Sequence, residues 1–272
     1  MASSSPRSAR EPIFNIPTVV LAAILVLAGI HAVREWVLSA EANIDLLLDA
    51  AVIPVRWAAT YGGVSSDEIL ARIGRTGDGS LRALQLEIAR HVLAGGQGKP
   101  WTGITYALLH GSWGHVAANS IWLAAFGTPV ARRCGAARFL VLALATALGG
   151  AVAHALVHPY QALPMIGASA SVSGMMAAAS WFLFARPVWL LDGRLAEPHE
   201  RPRETMARTL GDRRVLLFIL VWLGTNYLFA ALAQPLGITD ASIAWEAHVG
   251  GFFAGLVLFP WLDPIPQRPL HR

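Results

Sequence analysis

The stretch MIGASASVSGMMAA, Met165 to Ala178, sets three serines at alternate positions, Ser169, Ser171 and Ser173, at the head of an apolar tract that runs on to Ala185. The tract has the length that crosses a bilayer, about 20 residues. On a helix Ser169 and Ser173 share a face that continues through Ala177 and Ser180, and Ser171 points roughly opposite. Ordinary roles exist for such serines, as an N-cap or as a stripe of small residues where two helices approach closely. The other reading is a nucleophile inside a membrane, and the rest of the chain bears on that choice.

The chain has 272 residues, of which 55% are hydrophobic and only 14% charged. A soluble enzyme of this length would spread charge over every exposed helix face, and long tracts here carry none. Apolar runs at Ile16–Leu38, Val116–Val130, Phe139–Val157, Met165–Ala185, Val215–Ala233 and Ile243–Leu262 predict six membrane spans and an all-α bundle. The apolar ITYALL ahead of the second run suggests a membrane-dipping approach to it. Net charge is +4. The basic residues gather in short connectors and form no aromatic-laced patch, so no nucleic-acid partner is expected. The single cysteine, Cys134, excludes an intrachain disulfide and a cysteine-rich metal cage.

Arginines orient the spans. Arg7 and Arg10 precede the first, Arg132, Arg133 and Arg138 follow the second, and seven lie from Arg186 to Arg214, after the fourth. Positive connectors stay in the cytoplasm. The expected organisation is a cytoplasmic tail over 1–15, a six-helix domain over 16–262 with a long extracytoplasmic first loop at 39–100, and a cytoplasmic tail over 263–272. Within that loop SLRALQLEIARHVLAG has amphipathic spacing and predicts a helix along the interface.

With this topology the second, fourth and sixth spans all run inward, so residues at their starts share one leaflet. His115 and Asn119 open the second, Ser169 the fourth, and His248 lies about 7 Å into the sixth at helical rise. Alone, His115 and Asn119 read as interhelical hydrogen bonding, Ser169 as a cap or small-residue packing, and His248 as a neutral core histidine. Together they form a set of ionisable and polar groups at one depth, which is a functional hypothesis by default. A serine needs a base, which a neutral histidine supplies, and a developing oxyanion needs donors, here His115, Asn119 and the backbone N–H of Ser169. That set describes acyl transfer.

HGSWGHVAAN (His110 to Asn119), GASASVSG (Gly167 to Gly174) and AHVGGFFAG (Ala247 to Gly255) resemble, in order and spacing, the three motifs of rhomboid intramembrane serine proteases. The resemblance covers about Trp101 to Leu262. It implies a Ser169–His248 dyad without a third acid, His115 and Asn119 as oxyanion donors, and His110 as the residue ordering the first loop. Gly167 and Gly174 bracket the nucleophile segment, and Gly251 and Gly255 leave the face of His248 bare for close helix approach. The implied activity is endoproteolysis of transmembrane segments of other membrane proteins, in a bilayer expected to be a bacterial inner membrane, with no cofactor and no metal.

Two departures carry consequences. Ala170 stands where the family usually has glycine, which crowds the backbone near the oxyanion site. Ser173 stands where the family commonly has an aromatic packed on the catalytic histidine, so His248 has to be oriented by other means. By resemblance the fifth span, with Trp222, Tyr227 and Phe229, is a movable gate; ordinary lipid contact reads equally well. A rival reading is an inactive rhomboid-like protein that binds membrane clients. A metal site at His154 and His158 is a second rival, but no acidic ligand accompanies them in sequence and no HExxH occurs, so they are assigned to packing or the interface. Glu246 is assigned to the interface too, because at i−2 it faces away from His248.

Overall fold

The computed structural model describes residues 15–75, 79–95, 98–232 and 244–265. Within them the chain is helical, and its only β pairings are the isolated bridges Val52–Met165 and Trp189–Leu195. The helices are α1 (Thr18–Trp36), α2 (Ala40–Ala50), α3 (Pro54–Tyr61), α4 (Ser66–Arg75), α5 (Gly79–Ala94), α6 (Thr102–Thr105), α7 (Trp113–Trp122), α8 (Thr128–Val157), α9 (Ser169–Leu183), α10 (Met206–Gly211), α11 (Arg213–Leu232) and α12 (Trp245–Leu262). Most of the N-terminal tail, the connector from Gln234 to Ser242, the start of the sixth apolar run at Ile243 and most of the C-terminal tail lie outside the described residues.

Three helical stretches among them are long and apolar enough to cross a membrane: Thr18–Trp36, Trp113–Val157 and Arg213–Leu232. The second has 45 residues, about 67 Å at 1.5 Å per residue, more than twice the thickness of a hydrocarbon core. It has to fold back, and it does so at Gly135, whose φ of 75° and ψ of 169° break the helix. Left-handed φ values favour glycine because there is no Cβ to clash. The expected second and third spans are thus one helical stretch folded at a single residue, with a π-helical turn at Leu123–Gly127 on the first limb.

The bundle is organised round α9. From Ala170 to Phe182 every residue of this helix is buried, so it has no lipid face and no polar face. Its fifteen residues span only about 22 Å, and protein surrounds it instead of lipid. Glycines let α8 and α12 close on it. A Cβ on Gly251 would stand 2.2 Å from the Ala170 carbonyl oxygen, and one on Gly255 would stand 2.3 Å from that of Gly174. A Cβ on Gly174 would meet Thr146 of α8 at 2.3 Å. The repeat of four on both helices means that α9 and α12 run parallel in a fixed register. Below the glycines, Met175, Trp181, Phe182, Phe139, Phe252 and Phe259 fill the core, and Trp181 Nε1 donates to the Leu256 carbonyl at 3.1 Å.

The fourth apolar run differs from its expected form. Met165 to Ala168 is not helical: Met165 exchanges backbone hydrogen bonds with Val52 at 2.8 and 3.2 Å. Pro164 precedes it, and Gly167 takes φ of 125°, so helix begins only at Ser169. The first loop also builds a core of its own. The amphipathic segment forms α5, but Ala89 and Val92 pack with Ile53, Val55, Ile69 and Ile73 of the neighbouring helices.

The arginine-rich connectors do structural work at the opposite end. Arg201 and Arg214 donate to the Ala185 and Phe184 carbonyls just past α9, satisfying acceptors that a helix end leaves free. Arg133 is fully buried and forms a two-pronged pair with Asp263, at 2.7 and 2.8 Å, just beyond α12.

Candidate functional site

Ser169 is the first residue of α9, with Ala168 as its cap, so it is not itself the N-cap. The first intrahelical bond runs from Val172 N–H to the Ala168 carbonyl, which leaves the N–H groups of Ser169 and its followers free of helix partners. The turn before it is held from two sides. Gly167 N–H donates to the Tyr106 carbonyl at 3.0 Å, and Tyr106 Oη donates to the Ala147 carbonyl of α8 at 2.9 Å. Gly167 has to be glycine for a second reason: a Cβ there would lie 2.8 Å from His115 Cε1 and Nε2 and 3.8 Å from Ser169 Oγ. The His115 ring and the Ser169 hydroxyl therefore flank the same point.

His115 is positioned by the cap of α7, where Ser112 Oγ accepts from its backbone N–H at 3.2 Å. Asn119 is buried one turn on, and its amide donates to the His115 carbonyl at 3.1 Å, leaving one N–H uncommitted. His110 is fully buried, with its ring 4.8 Å from that of His115, centroid to centroid. Its carbonyl accepts from Arg34 of α1 at 2.7 Å, and its Nε2 accepts from Ala168 N–H at 3.5 Å.

The methyl of Ala170 points to α8. It sits over Gly150 of α8, where a Cβ would come within 2.4 Å of it. Ser171 faces away from Ser169 and donates to the Ala143 carbonyl of α8 at 2.8 Å, a packing role. Ser173 is buried on the Ser169 side of α9.

His248 is half-buried and lies on α12, whose register with α9, Gly251 against Ala170, puts it level with Gly167 in the turn that opens α9. Its Nδ1 lies 2.5 Å from Oδ1 of Asn226 on α11. The amide is not free to turn over, because Asn226 Nδ2 donates to the Trp222 carbonyl at 2.8 Å. Oδ1 therefore faces the ring as an acceptor, Nδ1 carries the proton, and in the neutral ring Nε2 is the basic nitrogen. Sequence reasoning passed over Asn226; its only signal was an amide in the apolar run WLGTNYLF. Trp222 of the same helix is buried and stacks on Phe252 of α12, with centroids 4.4 Å apart, so it is not a lipid contact. Tyr227 is exposed; the side chain of Phe229 lies outside the described residues.

Glu246 also departs from expectation. It is buried, with Oε1 2.9 Å from His158 Nε2 and Oε2 3.7 Å from His154 Nδ1. The histidine pair does have an acidic neighbour, brought from 88 residues away by the packing of α12 on α8.

Residues 97–262 match the Rhomboid domain family. The chain belongs to the rhomboid family. Rhomboid protease GluP of Bacillus subtilis is 28% identical over 162 residues, 60% of this chain and 27% of that protein. Rhomboid protease GlpG of Pectobacterium atrosepticum is 29% identical over 161 residues, 59% of this chain and 48% of that protein. The mitochondrial RHOMBOID-like protein 12 of Arabidopsis thaliana is 37% identical over 172 residues, 57% of this chain and 48% of that protein. The chain thus spans about half the length, or less, of the curated relatives it matches. Family and apolar helices together make this rhomboid an integral membrane protein.

Proposed function

We propose that the protein is an intramembrane serine endopeptidase that cleaves transmembrane segments of other membrane proteins, with Ser169 as nucleophile and His248 as general base. The observation that carries this reading is the oriented ring of His248: Asn226 holds Nδ1–H, so the basic Nε2 is the nitrogen available to a neighbouring hydroxyl. A buried acid is not needed for that orientation, since an amide oxygen held towards Nδ1 selects the same tautomer.

In the reaction His248 Nε2 takes the Ser169 Oγ proton as Oγ bonds to the scissile carbonyl carbon. The carbonyl oxygen becomes an oxyanion, met by free N–H groups at the start of α9, by His115 and by the uncommitted N–H of Asn119. The imidazolium then protonates the leaving amide nitrogen as the C–N bond breaks. Water, deprotonated by the same Nε2, hydrolyses the acyl-enzyme and returns the proton to Ser169. His110 orders the loop that carries His115.

The membrane arrangement in this reading is six spans with both ends cytoplasmic: α1, α7 with the first turns of α8, the rest of α8, α9, α11 and α12. The host bilayer is a bacterial inner membrane, and the substrates are single-span or other transmembrane proteins.

The test uses purified protein in detergent, a single-span substrate and a fluorophosphonate probe. Ser169→Ala and His248→Ala are expected to abolish cleavage and labelling, with Ser171→Ala and Ser173→Ala retaining both. Full cleavage by the Ser169→Ala or His248→Ala variant would sink the assignment. Failure of the intact protein to label or cut any of several substrates would favour a client-binding role.

A further inference from the structure

His154, His158 and Glu246 stand apart from the Ser169–His248 chemistry and are not used by it. His154 and His158 lie one turn apart at the end of α8, with rings 5.1 Å centroid to centroid. Glu246 enters from the first turn of α12. One ligand atom from each of the three lies within 4.8 Å of the others. Two of these atoms are buried without a hydrogen-bond partner: His154 Nδ1 and Glu246 Oε2, on residues only 4% and 9% exposed. Leaving such atoms unmatched is costly, and more so when the group is charged. They face each other at 3.7 Å, too far for a hydrogen bond and suitable for a shared ion.

We propose that these three side chains form a binding site for a zinc-class divalent cation. Two imidazoles and one carboxylate suit zinc and its first-row neighbours, whereas calcium and magnesium favour all-oxygen sites. Ligands at about 2.0–2.2 Å round a tetrahedral ion stand roughly 3.3–3.6 Å from one another. The two histidine–carboxylate separations, 2.9 Å to Oε1 and 3.7 Å to Oε2, lie to either side of that value, and the set as a whole, within 4.8 Å, closes by about 1 Å round the ion. The ion replaces the direct His158–Glu246 hydrogen bond and takes up both unmatched atoms. A fourth donor is at hand in Gln161, whose Oε1 is buried without a partner and which lines the same cavity of about 360 Å³. His158 is 40% exposed at its side chain and gives the ion a way in from water.

Occupancy would tie the end of α8 to the start of α12, two residues before His248. The site therefore stiffens the helix that carries the proposed base without touching substrate. It does not depend on the proteolytic reading, because binding can be measured on a protein that cleaves nothing.

The experiment titrates tag-free full-length protein in detergent with Zn²⁺ alone by calorimetry, and with Co²⁺ by visible absorption. One ion per chain is expected, with the ligand-field bands of a four-coordinate cobalt site. Thermal unfolding is expected to shift upward with Zn²⁺ and to return with chelator. His158→Ala, at a position whose side chain is 40% exposed, and Glu246→Gln, which keeps shape and hydrogen bonding, should each weaken binding by more than the 10–100-fold typical of an outer-shell loss. Binding that persists unchanged in both variants would overturn the proposal by placing the ion elsewhere. Absence of binding at 100-micromolar-order Zn²⁺ would overturn it as well, leaving Glu246 as a hydrogen-bonded bridge between helices.

Discussion

Replacing Arg133 with alanine should be the most damaging single change at the end of the bundle remote from Ser169. Its guanidinium gives Nε and Nη2 to the two oxygens of Asp263, at 2.7 and 2.8 Å, and Nη1 to the carbonyls of His199 and Arg201, at 3.1 and 2.7 Å. The group also lies 4.7 Å from the centre of the Phe182 ring. Both side chains of the pair are completely shielded from solvent. Removing one partner of a buried pair costs about 3–5 kcal/mol, mostly because the other charge is left in a poor solvent. Arg203 Nε lies 3.3 Å from Asp263 Oδ2 and remains in the variant, which argues for the lower end, about 3 kcal/mol. For a chain of this size that corresponds to a fall of about 6–12 °C in Tm. Thermal unfolding in detergent reads the change directly. Arg132→Ala is the control: its side chain is partly exposed and bonds to the Asn15 carbonyl, so it should cost less than about 1 kcal/mol. Arg133→Met combined with Asp263→Leu should recover most of the loss, since a matched apolar pair escapes the desolvation penalty. If Arg133→Ala unfolds within about 2 °C of the parent, or no lower than Arg132→Ala, the reasoning fails.

Asn226→Ala should lower kcat about 10–100-fold with little change in KM, and Asn226→Asp, which keeps an acceptor facing Nδ1, should restore much of it; equal loss in both would remove Asn226 from the orientation of His248. Gly255→Ala should destabilise by about 1–3 kcal/mol or more, because the new methyl meets the backbone of Gly174 and not a flexible side chain; a thermal melt matching the parent would contradict the register of α9 and α12. In the connector after α9, the bonds from Arg194 and then the Glu197 N–H hold the Glu200 carboxyl down to about 2. A depressed folded pKa means that this pairing is present above the ordinary carboxylate range and is lost only as pH falls towards 2. Hydrogen exchange at Glu197 N–H, which donates to Glu200 Oε2, should therefore stay protected from pH 7 to pH 4; a midpoint near 4.5 would show that the pair does not form in solution.

Much of the architecture could be read without coordinates because it rests on local pattern. Hydropathy and the length of a bilayer core marked the apolar tracts, and the spacing of Gly251 and Gly255 marked a close helix contact. The motif order put His115 and Ser169 near the starts of two helices, and the structure brings both to the space beside Gly167. Helix boundaries were less legible. Met165 to Ala168 is as apolar as any helix, and its extended form comes from pairing with Val52, more than a hundred residues earlier in the chain.

The partners of charged and amide side chains could not be read in this way. Asn226 and His248 are 22 residues apart, Glu246 and His158 are 88 apart, and Arg133 and Asp263 are 130 apart. A periodic pattern tells which face of a helix a side chain occupies, but not which other helix that face meets or at what height. An arginine near a span end reads as a topology signal whether it points to water or into the core, and a glutamate two residues from a histidine reads as turned away without showing what it is turned towards. Those choices fall to helix packing, where fractions of an ångström at Gly150, Gly174, Gly251 and Gly255 set the register. Apolar length and motif order made this chain a helical membrane protein of recognisable kind; the close packing of α8, α9, α11 and α12 decided which polar groups meet inside it, because only that packing removes the water they would otherwise have bonded.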